Sequence, residues 1–155
     1  MKTLSVIGST GSIGAQTLQV AAERGYQVAG LAAGRNADGL EKQILQVKPR
    51  VAALFDEQVG RALAEKLKGF TDTEICWGEE GVCRVAALAE SDLVLNAAVG
   101  ISGLKPTVAA IAEEQGCSRF SVIENASRYT ALDRSRATLE SFADLINGLA
   151  KDAET

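Results

Sequence analysis

The sequence predicts one doubly wound α/β domain: a parallel sheet with helices on both faces. Three observations predict it. Short aliphatic runs alternate with stretches of helical spacing from Leu4 to Ile123, the pattern of repeated strand–helix units. Aromatic residues make up only 5% of the chain, while Ala, Val, Leu and Ile dominate, as aliphatic strands under Ala-rich helices require. The 155 residues suffice for one sizeable core and are too few for two full domains.

Leu4 to Ile7 is an apolar run between turn signals, the form of a buried parallel strand. Gly8 to Gly14 is a Gly/Ser/Thr turn, and Ile13 to Arg24 reads as a helix through Ile13, Leu18, Val20, Ala21 and Ala22, stopped by Gly25. Val28 to Ala33 is the second strand, closed by Gly34. Leu40, Ile44, Leu45 and Val47 have helical spacing, and Pro49 stops that helix. Val51 to Phe55 is the third strand, and Val59, Leu63 and Leu67 mark a helix up to Gly69. Glu74 to Trp77 is strand four, followed by a helix across Gly81 to Ala89 and strand five at Leu93 to Leu95. Pro106 sits in the first turn of a further helix, where its missing N–H does no harm, and Phe120 to Ile123 is strand six. Units of this length imply right-handed crossovers.

Residues 126–155 change character. Ser127 to Arg136 is polar without a strong period; Leu139, Phe142, Leu145, Ile146 and Leu149 then recur at helical spacing before a tail from Lys151 to Thr155. This reads as a linker and a C-terminal helix.

Composition narrows the chemistry. A net charge of −4 offers no basic surface for nucleic acid. No stretch approaches the about 18 uninterrupted apolar residues of a membrane span, and Met1-Lys2 leads directly into a strand, so neither a membrane segment nor a secretory signal is expected. Cys76, Cys83 and Cys117 are odd in number and widely spaced, which suits a reducing, cytoplasmic setting. The absence of histidine removes His-containing triads and His-ligated zinc sites, leaving Asp, Glu, Lys, Tyr or Cys as any general acid.

Gly8-Ser9-Thr10-Gly11-Ser12-Ile13-Gly14 carries the strongest chemical signal, because it lies between the first strand and the first helix. Its spacing is G-x-x-G-x-x-G. Glycines there let the backbone turn tightly and approach a pyrophosphate, while the helix's first N–H groups face the anion; Thr10 and Ser12 add hydroxyl donors. This is the dinucleotide cradle of a Rossmann-type domain. Gly34-Arg35-Asn36 ends strand two, where an acid would bind the ribose hydroxyls of NAD and a cation suits the 2′-phosphate of NADP. Arg35 offers a planar fork of donors, Asn36 can add a hydrogen bond, and no carboxylate is positioned by the sequence at that end. The plain alternative for Arg35 is a solvated surface side chain. Asp38 belongs to the first turn of the next helix. Asn96 to Thr107, rich in small residues at the end of strand five, either passes a nicotinamide ribose or packs a helix closely, and spacing does not separate the two.

GSTGSIG at 8–14, GLAAGRN at 30–36 and AAVGISGLKPTVAAI at 97–111 together resemble the 1-deoxy-D-xylulose 5-phosphate reductoisomerase family, from Met1 to about Gln115. The resemblance implies an NADPH-dependent oxidoreductase of the non-mevalonate isoprenoid pathway. Such an enzyme rearranges and reduces its sugar phosphate to 2-C-methyl-D-erythritol 4-phosphate with a divalent metal, Mg or Mn. It further implies that Thr10, Gly11, Ser12 and Ile13 line the cofactor phosphates, that Gly34, Arg35 and Asn36 hold the adenosine side, and that Asn125 matches the family's asparagine after strand six. Its partners would be NADPH and a small sugar phosphate; a homodimer is left open.

The chain also departs from the family. Where the family reads Ala-Asn-Lys-Glu-Ser, this chain has Glu124-Asn125-Ala126-Ser127, so Ala126 and Ser127 stand in the places of a substrate-binding Lys and Glu. The family's metal-binding Asp-x-Glu is not recognisable: Asp72/Glu74 precedes and opens strand four, and Asp152/Glu154 lies in the tail without the flanking residues. The expected organisation is therefore a Rossmann NADP(H)-binding domain over residues 1–125 and a divergent linker and helix over 126–155, without catalytic or metal residues of its own. Other readings are a stand-alone dinucleotide-binding or regulatory module, or another small NADP-dependent dehydrogenase.

Overall fold

The computed structural model describes residues 1–98, 106 and 119–122. The chain divides into two units, Met1–Ile123 and Glu124–Thr155, and every described residue belongs to the first. The expected linker and C-terminal helix, Asn125, Cys117, Asp152/Glu154, and the turn and helix around Pro106 (itself helical and buried) lie outside the described residues.

The elements run β1 (Thr3–Ile7), α1 (Ser12–Arg24), β2 (Gln27–Ala33), α2 (Ala37–Val47), β3 (Val51–Leu54), α3 (Glu57–Lys66), β4 (Glu74–Trp77), α4 (Gly78–Ala86), β5 (Leu93–Asn96) and β6 (Arg119–Val122). They build one six-stranded sheet in the order β4-β3-β2-β1-β5-β6, every neighbouring pair parallel. This is the doubly wound Rossmann-type sheet the sequence predicts. From β1 the chain steps outward through β2, β3 and β4. It then returns across the sheet by way of α4, so that β5 pairs with the other side of β1. The strand order reverses between β1 and β5, and a ligand crevice opens at such a reversal.

Period-two alternation sends the strand side chains into two cores. Leu4, Val6, Leu31, Ala33, Ala52 and Leu54 face α1, α2 and α3, meeting Ala21, Leu40, Ile44 and Leu63. Ile7, Ala32, Ala53 and Val94 face the opposite way, against Val82, Val85 and Ala86 of α4. Each fully buried Leu, Ile or Val contributes about 1.5–3 kcal/mol relative to exposure. The β1–β2 register shifts between Leu4 and Ser5, leaving Ala29 unpaired between Val28 and Gly30. Gly30 sits beneath α4: a Cβ there would lie 2.8 Å from Leu88 Cδ1 and 2.9 Å from Val85 Cγ1.

Several boundaries move for local reasons. Gly25 ends α1 in the left-handed conformation, as expected, its N–H bonded to the carbonyls of Ala21 and Ala22. Before Pro49, Lys48 takes the left-handed cap of α2 at φ 49°. Strand three ends at Leu54, one residue early, with Phe55 outside it. The helix expected across Gly81 to Ala89 occupies Gly78–Ala86, with Glu79 and Glu80 in its first turn, where acids suit the helix N-terminus. Val20 and Leu45, counted by their spacing as apolar helix residues, are 47% and 48% exposed because they fall beside the buried stripe rather than on it. Among the described residues no helix is long and apolar enough to cross a membrane.

Candidate dinucleotide-binding site

At the carboxyl end of β1 the chain reverses through Gly8, whose φ of +79° favours glycine. The N–H groups of Gly8 and Ser9 both donate to Ala32 O at 2.7 and 2.9 Å, tying the turn to the end of β2. On the other side Ala97 N donates to Ile7 O at 2.8 Å, and a Cβ on Gly8 would come within 2.7 Å of the Ala97 carbonyl carbon. Gly14 closes the turn from below. A Cβ there would overlap the Gly8 carbonyl oxygen and lie 2.6 Å from Ser9 Cα.

Gly11 has a different use. It is the N-cap of α1 at φ −74° and ψ 170°, a conformation open to any residue, and it is exposed. An added Cβ would have Gly8 O as its nearest neighbour, at 3.5 Å. Nothing among the described residues requires glycine here, so the missing side chain leaves room over the helix. The first helical bond runs from Ala15 N to Gly11 O, so the amides of Ser12, Ile13 and Gly14 precede the ladder. Among the described residues no side chain caps α1, and its first turn holds no acid, so an anion would be favoured at this positive end. Thr10 and Ile13 are half-buried beside it, and Ser12 is exposed.

Gly34 leaves β2 exposed, with no atom of the described residues within 4 Å of an added Cβ. Arg35 projects into solvent, 80% exposed, with Nε 3.1 Å from Asp56 Oδ2. Asn36 is the N-cap of α2, its Oδ1 accepting from Gly39 N at 2.9 Å, so that oxygen serves the helix. Asp38 lies in the first turn of α2, as expected. One expectation is corrected: a carboxylate does stand at this end of the sheet. Asp56 follows β3, the strand beside β2, and its N–H donates to Gly34 O at 3.0 Å.

The structure brings the two sequence motifs to one place. A cleft of about 300 Å³ at the carboxyl ends of β1, β2 and β5 is lined by Gly8 and Gly11 from the first motif, Gly34 from the second, and Phe55, Ala97 and Ala98. Of the small residues after β5, Ala97 packs on Gly8 and lines the cleft together with Ala98, while residues 99–105 and 107 lie outside the described residues. A larger cavity of about 520 Å³ lies at the amino ends of the strands, among Thr3, Gln27, Arg50 and Glu90. The glycine turn and the N-terminus of α1 open away from it, at the other end of the sheet, so the smaller cleft is the candidate site.

Sequence reasoning missed three residues. Asp56 carried a legible signal, an acid directly before a helix. Phe55, 45% exposed at the cleft, was assigned to the strand before it. Gln43 of α2 reaches the turn, its Nε2 donating to Ser9 O at 2.8 Å. No group of three His, Cys, Asp or Glu side chains that could hold a metal gathers among the described residues. Glu74 of the Asp72/Glu74 pair is instead bound by Arg84, Nη2 to Oε2 at 2.6 Å.

The family model of 1-deoxy-D-xylulose 5-phosphate reductoisomerase matches residues 4–118. The reductoisomerase of Ruminiclostridium cellulolyticum is 44% identical over 110 residues, covering 71% of this chain and 29% of that protein. The chloroplastic enzyme of Mentha piperita is 46% identical over 113 residues, 71% of this chain and 24% of its own. Among solved structures, the Zymomonas mobilis reductoisomerase in complex with NADPH superposes with a TM-score of 0.67 at 32% identity, over 74% of this chain and 30% of that one. A DOX-P reductoisomerase in complex with NADPH, fosmidomycin and magnesium gives a TM-score of 0.78 at 26% identity, covering 99% of this chain and 35% of that one. The chain thus spans about three-tenths of the length of the curated relatives it matches.

Proposed function

The chain belongs to the 1-deoxy-D-xylulose 5-phosphate reductoisomerase family, and from that membership we propose that residues 1–125 are the NADPH-binding domain of such an enzyme. The reaction served is the NADPH-dependent rearrangement and reduction of 1-deoxy-D-xylulose 5-phosphate to 2-C-methyl-D-erythritol 4-phosphate. It belongs to the non-mevalonate isoprenoid pathway, in a cytoplasmic setting. NADPH, when bound, supplies the hydride.

The observation that carries this reading is the single cleft shared by Gly11 and Gly34. A dinucleotide has to touch both a pyrophosphate turn and the end of the neighbouring strand, and one crevice here offers both. The fit is supported by Gly11, which keeps the N-terminus of α1 open where its own fold would tolerate a side chain. In this reading Thr10, Gly11, Ser12 and Ile13 hold the phosphates with amides and hydroxyls. Gly34, Arg35 and Asn36 hold the adenosine ribose and its 2′-phosphate, Phe55 offers the adenine an apolar face, and Asn125 is the further cofactor residue that the family resemblance assigns. The described residues do not fit a metal, so no metal-assisted step is assigned to them.

Calorimetric titration with NADPH, paired with a turnover assay on the same preparation, tests the reading. One-to-one binding that Gly11→Val abolishes supports it. A folded chain that releases no heat with NADPH and shows no change in cofactor fluorescence overturns it.

A further inference from the structure

We propose that Gln43, on the buried side of α2, is a positioning residue for the phosphate turn: by holding the Ser9 carbonyl it aims the Thr10 amide at the cofactor. The inference rests on the cofactor reading above and adds to it a residue outside both glycine motifs.

Ser9 is fully buried and fixed at both backbone groups. Its N–H donates to Ala32 O of β2 at 2.9 Å, and its carbonyl accepts from Gln43 Nε2 at 2.8 Å, across 34 residues of sequence. The Ser9 carbonyl and the Thr10 amide belong to one planar trans peptide, in which C=O and N–H point in opposite directions. Drawing the carbonyl toward α2 therefore turns the Thr10 N–H away from α2. Thr10 is only half-buried and stands one residue before the N-cap Gly11, so its amide joins the donors at the start of α1. Gln43 belongs to the helix that begins at Asn36, immediately after Gly34 and Arg35. The same helix thus carries the adenosine-side motif at its start and braces the pyrophosphate turn about two turns later.

Ser9 Oγ and Gln43 Oε1 are buried and have no hydrogen-bond partner among the described residues. Among the described residues the Ser9 carbonyl has no second hydrogen bond besides the one from Gln43. Without that bond the Ser9–Thr10 peptide is free to rotate, and ligands that need the pyrophosphate donors lose affinity. A ligand confined to the adenosine end does not.

The test uses the full 155-residue chain with the acid-stable probes NADP⁺, NAD⁺ and 2′-AMP, titrated by calorimetry. Gln43→Met should weaken NADP⁺ and NAD⁺ alike, by about fivefold or more, from the loss of one hydrogen bond's worth of orientation. The 2′-AMP affinity should stay within about twofold of wild type, because that ligand has no pyrophosphate. Gln43→Glu provides a rescue: ionised, its carboxylate repels the Ser9 carbonyl; protonated, it donates an O–H to the same oxygen. Its NADP⁺ affinity, taken as a ratio to wild type, should therefore recover as pH falls. Should Gln43→Met fail to fold, the pH series on Gln43→Glu carries the same comparison within one protein. Equal losses for all three ligands, wild-type affinities throughout, or a pH-independent ratio would each overturn the proposal. A folded wild type that binds neither NADP⁺ nor NAD⁺ would overturn the cofactor reading along with it.

Discussion

Arg35 Nε lies 3.1 Å from Asp56 Oδ2 across the carboxyl ends of β2 and β3, while Asp56 Oδ1 accepts the amide of Val59 at 3.1 Å and so caps α3. One carboxylate therefore anchors a helix and orients an arginine. The bond takes the Nε edge of the guanidinium and leaves the two terminal nitrogens uncommitted among the described residues. Those two can meet a phosphate in a bidentate way. A lysine in this position would have no second edge to offer.

Arg35→Ala should accordingly weaken NADPH by roughly tenfold or more and leave NADH nearly unchanged. Charge-assisted hydrogen bonds contribute about 1.5–3 kcal/mol when partly shielded, and this side chain is largely exposed, so the lower end applies. The contact is ionic, and rising salt should erode the NADPH preference of the wild type while doing little to the variant. Paired titrations at low and high ionic strength check this. Equal losses for both cofactors would make Arg35 structural, and no loss would make it a solvated bystander.

Asp56 separates its two roles by substitution. Asparagine caps a helix about as well as aspartate, so Asp56→Asn should keep stability within about 0.5 kcal/mol, the exposed ion pair being worth little. Asp56→Ala removes the cap and should cost about 0.5–2 kcal/mol in urea denaturation. Equal destabilisation by both variants would show that the charge, and not the cap, holds α3.

The glycine turn was legible because its physics is local. Gly8, Gly11 and Gly14 lie within one seven-residue stretch, and the alternation around it predicts parallel strands. The strand order was not legible, since it depends on α4 crossing back over three strands to place β5 beside β1. Asp56 could have been read as a cap from its place before Glu57 and Val59. Its pairing with Arg35 could not, because it follows from the β2–β3 register. Gln43 gave no signal at all: a glutamine on a helix looks like any surface residue until α2 lies against the turn. Phe55 was misread because an aromatic after four aliphatic residues continues the strand pattern, although the pairing stops at Leu54.

Cys76 gives a pH-dependent prediction. Burial pushes its thiol up, and only partly do the Arg84 guanidinium and its hydrogen bond to the sulfur pull it back. A raised value means less thiolate at neutral pH, hence slow alkylation that accelerates only in more alkaline solution. Removing Arg84 deletes a lowering influence and leaves Glu74, which raises the thiol further. Arg84→Ala should therefore slow iodoacetamide labelling of Cys76 at fixed pH, followed by mass spectrometry of the Cys76 peptide. Faster labelling would show that the variant opened the strand rather than shifted the thiol.

Gly11 and Gly14 stand three residues apart and should fail in opposite ways. Gly14→Ala drives a methyl into the Gly8 carbonyl and the Ser9 backbone, neither of which can move without shifting the turn from β2. Overpacking of this kind costs about 1–3 kcal/mol, so the variant should melt earlier and bind cofactor poorly as a consequence. Gly11→Val meets no such obstacle, because its backbone conformation suits any residue and its Cβ would stand 3.5 Å from Gly8 O. Its branched side chain instead fills the space over the first amides of α1, where the pyrophosphate has to approach. The Gly11 variant should keep its circular dichroism and melting temperature and lose NADPH binding. Two glycines of one motif would then be separated, one kept for the fold and the other for the ligand. If Gly11→Val binds NADPH as the wild type does, the anion does not sit at the start of α1 and the cradle is misassigned.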